Sequence, residues 1–185
     1  MLNLHPALIL FFSKSLLRSP IARSPIEDFT GESHFQWIIE DTEHGADINQ
    51  HDEIERVILC TGQVYSALYK HRKEKGIKNA AITRIEQLNP FPWAQLQENL
   101  DKYPNAKNIV WAQEEPLNAG AWSFTQPRIE TLLNHTKHHD RKHVLYAGRN
   151  PSASVATGIK ASHVKEELDL LETAFSVFQE KYKGE

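Results

Sequence analysis

The chain has 185 residues, with 21 Lys and Arg against 24 Asp and Glu and a formal charge of -3. That length suits one compact domain, and 40% hydrophobic with 24% charged residues is enough to bury a core. The near-even charge gives no electrostatic reason to expect nucleic acid or an anionic membrane as partner. Its one cysteine, Cys60, excludes an internal disulfide framework and a Cys-based zinc site, and points to a reducing compartment.

No apolar run approaches the ~20 residues a membrane helix needs. The longest, Ala7 to Phe12, sits in a stretch from Met1 to Ile26 that has no acidic residue but carries Lys14, Arg18, Arg23 and several serines. Such a composition fits a transit peptide. It also fits a buried strand at Leu8 to Phe12 followed by a basic turn, and the compact apolar block favours the strand. Phe35 to Ile39 reads as a short strand. Thr42 to Glu53 is polar, shows no buried pattern, and reads as an exposed excursion. Arg56 to Cys60 is an apolar strand stopped by Thr61-Gly62, and Val64 to Lys75 a helix ended by Gly76. Its inner side holds Val64, Leu68 and Tyr69, and its outer face is basic. Ala80 to Ile85 is the next strand. Trp93, Leu96 and Leu100 then recur at helical spacing up to Tyr103-Pro104.

Asn108 to Ala112 forms another strand, turned by the acidic corner Gln113-Glu114-Glu115-Pro116. Trp122 to Leu133 is helical with Ile129, Leu132 and Leu133 inward, although Pro127 threatens its first turn. His143 to Tyr146 is a strand and Ala147 to Thr157 a loop. In the last helix Val164, Leu168, Leu171 and Phe175 mark the expected inner face. This alternation predicts βαβ units, and so a three-layer α/β/α sandwich on a mostly parallel sheet of five or six strands.

Sites in such sheets gather beyond the carboxyl ends of the strands. Here those ends offer Ser13-Lys14, Thr61-Gly62, Glu86-Gln87, Gln113 to Glu115 and Gly148 to Asn150. Thr61-Gly62 has neither the glycine spacing of a dinucleotide fingerprint nor a P-loop lysine. Cys60 ends an apolar strand, which suits a buried thiol better than a nucleophile. Glu114 and Glu115 are adjacent in a strand, so one is expected to enter a cleft while its neighbour stays wet. An ion pair with Arg84 or Arg149 is their expected partner. His135, His138, His139 and His143 have a metal-like spacing but lie in a polar stretch with no Cys, which argues against zinc. Aromatic residues are expected on core faces. No complete catalytic set emerges.

Several blocks in order resemble one family. They are Phe11 to Arg18, Cys60-Thr61-Gly62 with Val64-Tyr65, Arg84 to Leu88 with Pro90-Phe91-Pro92, and Tyr103 to Ala106. Trp111 to Pro116 with Asn118 and Gly120 follows, then Tyr146 to Arg149, Pro151 to Ala153 and Ala156 to Gly158. Together, over about residues 7–178, they are similar to the carboxyl-terminal domain of 2-oxoglutarate dehydrogenase, the thiamine-dependent decarboxylating component.

The resemblance implies a transketolase-like third domain of a homodimeric mitochondrial matrix enzyme. That enzyme uses thiamine diphosphate and Mg2+ to decarboxylate 2-oxoglutarate in the tricarboxylic acid cycle. It passes a succinyl unit to lipoyl groups of the dihydrolipoyl succinyltransferase component. The family's Gly-Asp-Gly and paired Asn occur nowhere in this sequence. The chain is therefore expected to be a fragment or separately encoded piece, inactive alone, and the start at Met1 just before the family's first strand fits that. Its role would be dimer assembly and active-site access, with Arg84, Gln87, Glu114, Glu115 and Arg149 fixing loops toward the other domains. The other reading is a free-standing regulatory module for a nucleotide or acyl-CoA. Gln87 is kept at the position implied for an acyl-CoA site, but His34, Trp37, Ala94 and Gln95 replace the expected basic residues. Tight acyl-CoA binding is therefore not expected.

Overall fold

The structure is a computed structural model and describes residues 9, 13–14, 16–140 and 142–176. Of the strand expected at Leu8 to Phe12, only Ile9 is described, and it is exposed; the rest lies outside the described residues. The chain divides into two compact units, Met1–His34 and Phe35–Glu185. The described part of the first unit holds three short 3-10 turns, Leu16–Arg18, Pro20–Ala22 and Ile26–Phe29, none with a buried residue.

The second unit carries a five-stranded sheet of β1 (Ile38–Ile39), β2 (Arg56–Cys60), β3 (Ala80–Ile85), β4 (Asn108–Pro116) and β5 (Val144–Arg149). Its order is β1-β3-β2-β4-β5. β1 is an antiparallel edge pairing Ile38 with Ile85, and every other neighbour is parallel. Four helices connect and cover it: α1 (Val64–Lys75), α2 (Trp93–Asp101), α3 (Trp122–Leu133) and α4 (Lys160–Phe175). Among the described residues no helix is long and apolar enough to cross a membrane.

Side-chain alternation along the strands builds two cores, one on each face. Val57, Leu59, Ile109 and Trp111 meet Leu96 and Leu100 of α2 and Ile129, Leu132 and Leu133 of α3. Ile58, Cys60, Val110 and Ala112 meet Val64 and Leu68 of α1 and Leu170, Leu171 and Ala174 of α4. The result is the three-layer α/β/α sandwich. β2 is central and buried at all five positions, which explains its unbroken apolar run.

Several details depart from expectation. Thr42 to Glu53 is not wholly exposed. Ile48 is buried in the first core, and His44 stacks on His51 at 3.9 Å beside Tyr103. The outer face of α1 is not uniformly basic surface: Arg72 is buried and forks onto Asp41, and the same Asp41 carboxylate accepts the Ile82 N–H at 2.8 Å. β4 runs on through the acidic corner to Pro116, and β5 through Arg149. α3 continues through Pro127. Trp37, Trp93 and Phe35 are exposed, against the expectation that aromatics line the core. α4 buries Leu170, Leu171 and Ala174, leaving Val164 and Leu168 in solvent. Only the lower half of its apolar stripe, Leu171 and Phe175, thus joins the core.

Candidate functional site

The carboxyl ends of the four parallel strands form one polar edge, and its centre is a bulge in β4. Ala112 pairs with Ala147 and Pro116 with Arg149, so four steps along β4 answer two along β5. The surplus residues break the alternation of a regular strand. Gln113 is consequently buried while Glu114 and Glu115 are both exposed. The expected division of the two carboxylates, one in a cleft and one wet, is overturned by this bulge.

Gln113 is the hub of the edge. Its Oε1 accepts from the Trp111 indole Nε1 at 3.0 Å and from the Trp122 backbone N–H at 2.9 Å. Its Nε2 faces the carbonyls of Ala119 (2.9 Å), Pro116 (3.2 Å) and Glu115 (3.3 Å). A side-chain amide, with both donors and an acceptor, is the one group that matches such surroundings. The turn it holds depends on Gly120, whose φ is +65° and whose added Cβ would lie 3.0 Å from both Gln113 and Glu115. Tyr146 closes the other side. Its hydroxyl bonds the carbonyls of Arg149 (3.0 Å) and Glu115 (3.2 Å), and it passes so close to Gly148 that a Cβ there would sit 2.3 Å from the oxygen.

The five sequence-predicted residues are spread along this edge. Glu114 accepts two bonds from the Gln63 amide, at 2.8 and 3.0 Å, which ties β4 to the turn before α1. Arg84 on β3 pairs with Glu86 at 3.7 Å and lies over the Tyr65 ring at 4.3 Å. Gln87 donates to the Pro90 carbonyl at 3.1 Å. Arg149 bonds Glu166 of α4 at 2.6 Å and the Val155 carbonyl at 2.9 Å. The expected ion pairs of Glu114 or Glu115 with Arg84 or Arg149 therefore do not form among the described residues. Each of the two arginines has taken another carboxylate. Arg84 on β3 and Arg149 on β5 are separated by β2 and β4, about 14 Å at ordinary strand spacing.

Glu166 completes the Arg149 corner. Thr157 Oγ1 donates to it at 2.6 Å, and Asn118 clasps Ser152 through both its amide atoms, at 2.9 and 3.0 Å. The Thr157 hydroxyl and then Arg149 hold the Glu166 carboxyl below its ordinary 4.5, against a smaller opposing push from desolvation. Because the folded value is lowered, the stabilisation is present above pH 4.5 and is lost as pH falls through the folded value. Glu166→Gln is expected to speed amide exchange across residues 150–158 at pH 7 with little change in global melting. Parent-like exchange in the variant would remove this corner from the account. Sequence reading missed Gln63, Tyr146 and Glu166, and it named Gln113 among the strand-end candidates without giving it a role. The only signal for Gln113 was a polar residue directly continuing a fully apolar strand.

The remaining reactive groups are engaged elsewhere. Cys60 is fully buried, and desolvation pushes its thiol up to about 12, which leaves no useful thiolate. His139 is buried, with its ring nitrogens 3.0 Å from the Leu100 carbonyl and 2.9 Å from Lys142 Nζ. Desolvation holds it below its ordinary value, so it is a neutral core histidine. His135, His138 and His143 are exposed, and among the described residues no three His, Cys, Asp or Glu are grouped to hold a metal.

The edge is thus a set of tethers between strand ends and loops, and comparison with known proteins gives those tethers a context. The model of the family described as 2-oxoglutarate dehydrogenase C-terminal matches residues 23–175. The chain belongs to that family. Among its relatives, the mitochondrial 2-oxoglutarate dehydrogenases of Saccharomyces cerevisiae and Schizosaccharomyces pombe are each 52% identical, over 91% and 90% of this chain. The Caenorhabditis elegans enzyme is 45% identical over 95%. The chain spans only 16% of each of these relatives. A solved inactive split-gene transketolase overlaps more loosely, with a TM-score of 0.42 and 13% identity over 71% of this chain and 44% of that one.

Membership raises the question of thiamine diphosphate and Mg2+. Their capture needs carboxylate and amide oxygens free to enter a metal's coordination sphere. Here Glu86 is engaged by Arg84, Glu114 by Gln63, Glu166 by Thr157 and Arg149, and the Gln113 oxygen by Trp111 and Trp122. The sequence has neither Gly-Asp-Gly nor paired Asn. Among the described residues, these engaged strand-end groups do not fit the cofactor.

Proposed function

We propose that the chain serves as the C-terminal domain of a thiamine-dependent 2-oxoglutarate dehydrogenase component in the mitochondrial matrix. In this reading the remaining domains bind thiamine diphosphate and Mg2+, release carbon dioxide from 2-oxoglutarate and pass the succinyl unit to a lipoyl group. This chain contributes no reacting group. It supplies a rigid polar edge against which the other domains and the dimer mate are placed. Arg84, Gln87, Glu114, Glu115 and Arg149 act as positioning residues on that edge. The dihydrolipoyl succinyltransferase component is a partner of the whole enzyme.

The observation that carries this reading is the 52% identity over 91% of the chain to an enzyme of that name. The mutual engagement of the strand-end side chains supports a structural role over a catalytic one. The test is a chimera in which this chain replaces the matched 168-residue segment of the Saccharomyces cerevisiae relative. The chimera is expected to oxidise 2-oxoglutarate. The chain alone, given thiamine diphosphate and magnesium, is expected to release no carbon dioxide. A chimera that is folded but inactive, or decarboxylation by the chain alone, overturns the reading.

A further inference from the structure

The apolar stripe of α4 outruns the core it helps to build. Ala161, Val164, Leu168, Leu171 and Phe175 recur at intervals of three, four, three and four, the a and d spacing of a helix seam. In its lower half the seam is used: Leu171 is in the core and Phe175 stacks on His71 at 5.5 Å. In the upper half Val164 is 53% and Leu168 45% exposed. The tether at Glu166 lies about 160° around the helix from Val164. That tether fixes the opposite side of α4, so the seam is presented in a set orientation rather than on a loose end. Lys165 and Glu167 bracket Leu168, in the flanking positions where charged residues border a helix–helix contact.

We propose that Ala161, Val164 and Leu168 form a docking seam for an apolar helix of the longer polypeptide whose C-terminal domain this chain represents. The inference rests on the reading given under the proposed function. Two facts favour that occupant over a second copy of this chain. Most of each relative lies outside the matched 16%, so ample chain exists to supply the helix. Three exposed side chains offer far less than the roughly 800 Å² per partner that a free-standing complex buries. A contact within one polypeptide needs less area, because linkage raises the effective concentration.

The chimera described above provides the test. Cys60 is buried, so Leu168→Cys places a reactive thiol at the seam, followed by peptide-level mass spectrometry of maleimide labelling. Labelling is expected to slow by about tenfold or more in the chimera relative to the isolated chain, as burial in a protein interface requires. A thiol placed at Lys137, on the exposed surface, labels equally in both. Val164→Asp with Leu168→Asp should leave melting of the isolated chain unchanged and make the chimera's C-terminal region sensitive to protease. Equal labelling of Leu168→Cys in an active chimera overturns the seam while leaving the proposed function intact. Protection already present in the isolated chain, rising with its concentration, assigns the seam to a second copy and overturns the inference. A folded, inactive chimera overturns both.

Discussion

Asp41→Ala is expected to destabilise the domain by about 3–5 kcal/mol, as breaking a buried ion pair does when one charge is left behind. The pair is 2% and 4% exposed on its two side chains, and Asp41 joins three elements. It accepts from Arg72 of α1, from the Ile82 backbone of β3, and from the Glu43 N–H at 3.2 Å. Arg72 in turn donates to the Ala80 carbonyl at 3.2 Å. Removing the carboxylate leaves a buried guanidinium with only the Ala80 carbonyl to receive it and strips the Ile82 N–H of its side-chain acceptor. Asp41→Leu combined with Arg72→Met should recover much of the loss, since the pair contributes little beyond an apolar replacement of similar volume. Urea unfolding of the three variants measures both effects. A loss below about 1 kcal/mol for Asp41→Ala, the range of a surface pair, refutes the buried-pair account.

Gln113→Leu is the second large effect, expected to cost about 2–4 kcal/mol for unsatisfied polar groups at similar side-chain volume. It strands the Trp111 indole N–H, the Trp122 N–H and the Ala119 carbonyl at once. Because those groups define the bulge, exchange at Glu114 to Gly120 should accelerate even at temperatures where the domain remains folded. Near-ultraviolet circular dichroism reads the same event through Trp111 and Trp122. Gln113→Glu makes a sharper comparison. It keeps an acceptor for Trp111 but turns a carboxylate toward three carbonyl oxygens, so it should be no milder than Leu. Melting of Gln113→Leu with the parent would mean that the hydrogen-bond hub does not hold the edge together.

These two residues also show where reading the sequence stops. β2, β3 and α1 were legible at their observed bounds, because a fully buried central strand has an unbroken apolar run and Gly76 takes the left-handed φ of 63° that ends a helix. Arg72 and Gln113 were not, since a polar residue in isolation carries no mark of a buried partner 31 residues away or across a bulge. The acidic corner was placed by assuming regular alternation, and the bulge removes that assumption. The ion pairs expected for Glu114 and Glu115 assumed that strand-end residues of opposite charge meet, whereas Gln63 holds Glu114, Glu166 holds Arg149 and Glu86 pairs with Arg84. In α4 the periodicity was read correctly as a helix, and Leu171 and Phe175 reach the core as expected, yet Val164 and Leu168 were assigned to that core and lie exposed. Hydrophobic spacing tells that a face seeks cover, and nothing in the spacing says which polypeptide supplies it.

The sheet order has a consequence for biosynthesis. β2, the innermost strand, leaves the ribosome first among the four parallel strands, and β3 follows on one side about twenty residues later. β4 and β5 then add in turn on the other side. Each strand extends an existing template outward, so the nascent sheet never waits for a missing centre. Its outermost parallel strand is also the last of the four to be translated, and Arg149 and α4 can lock the polar edge only once β5 has emerged.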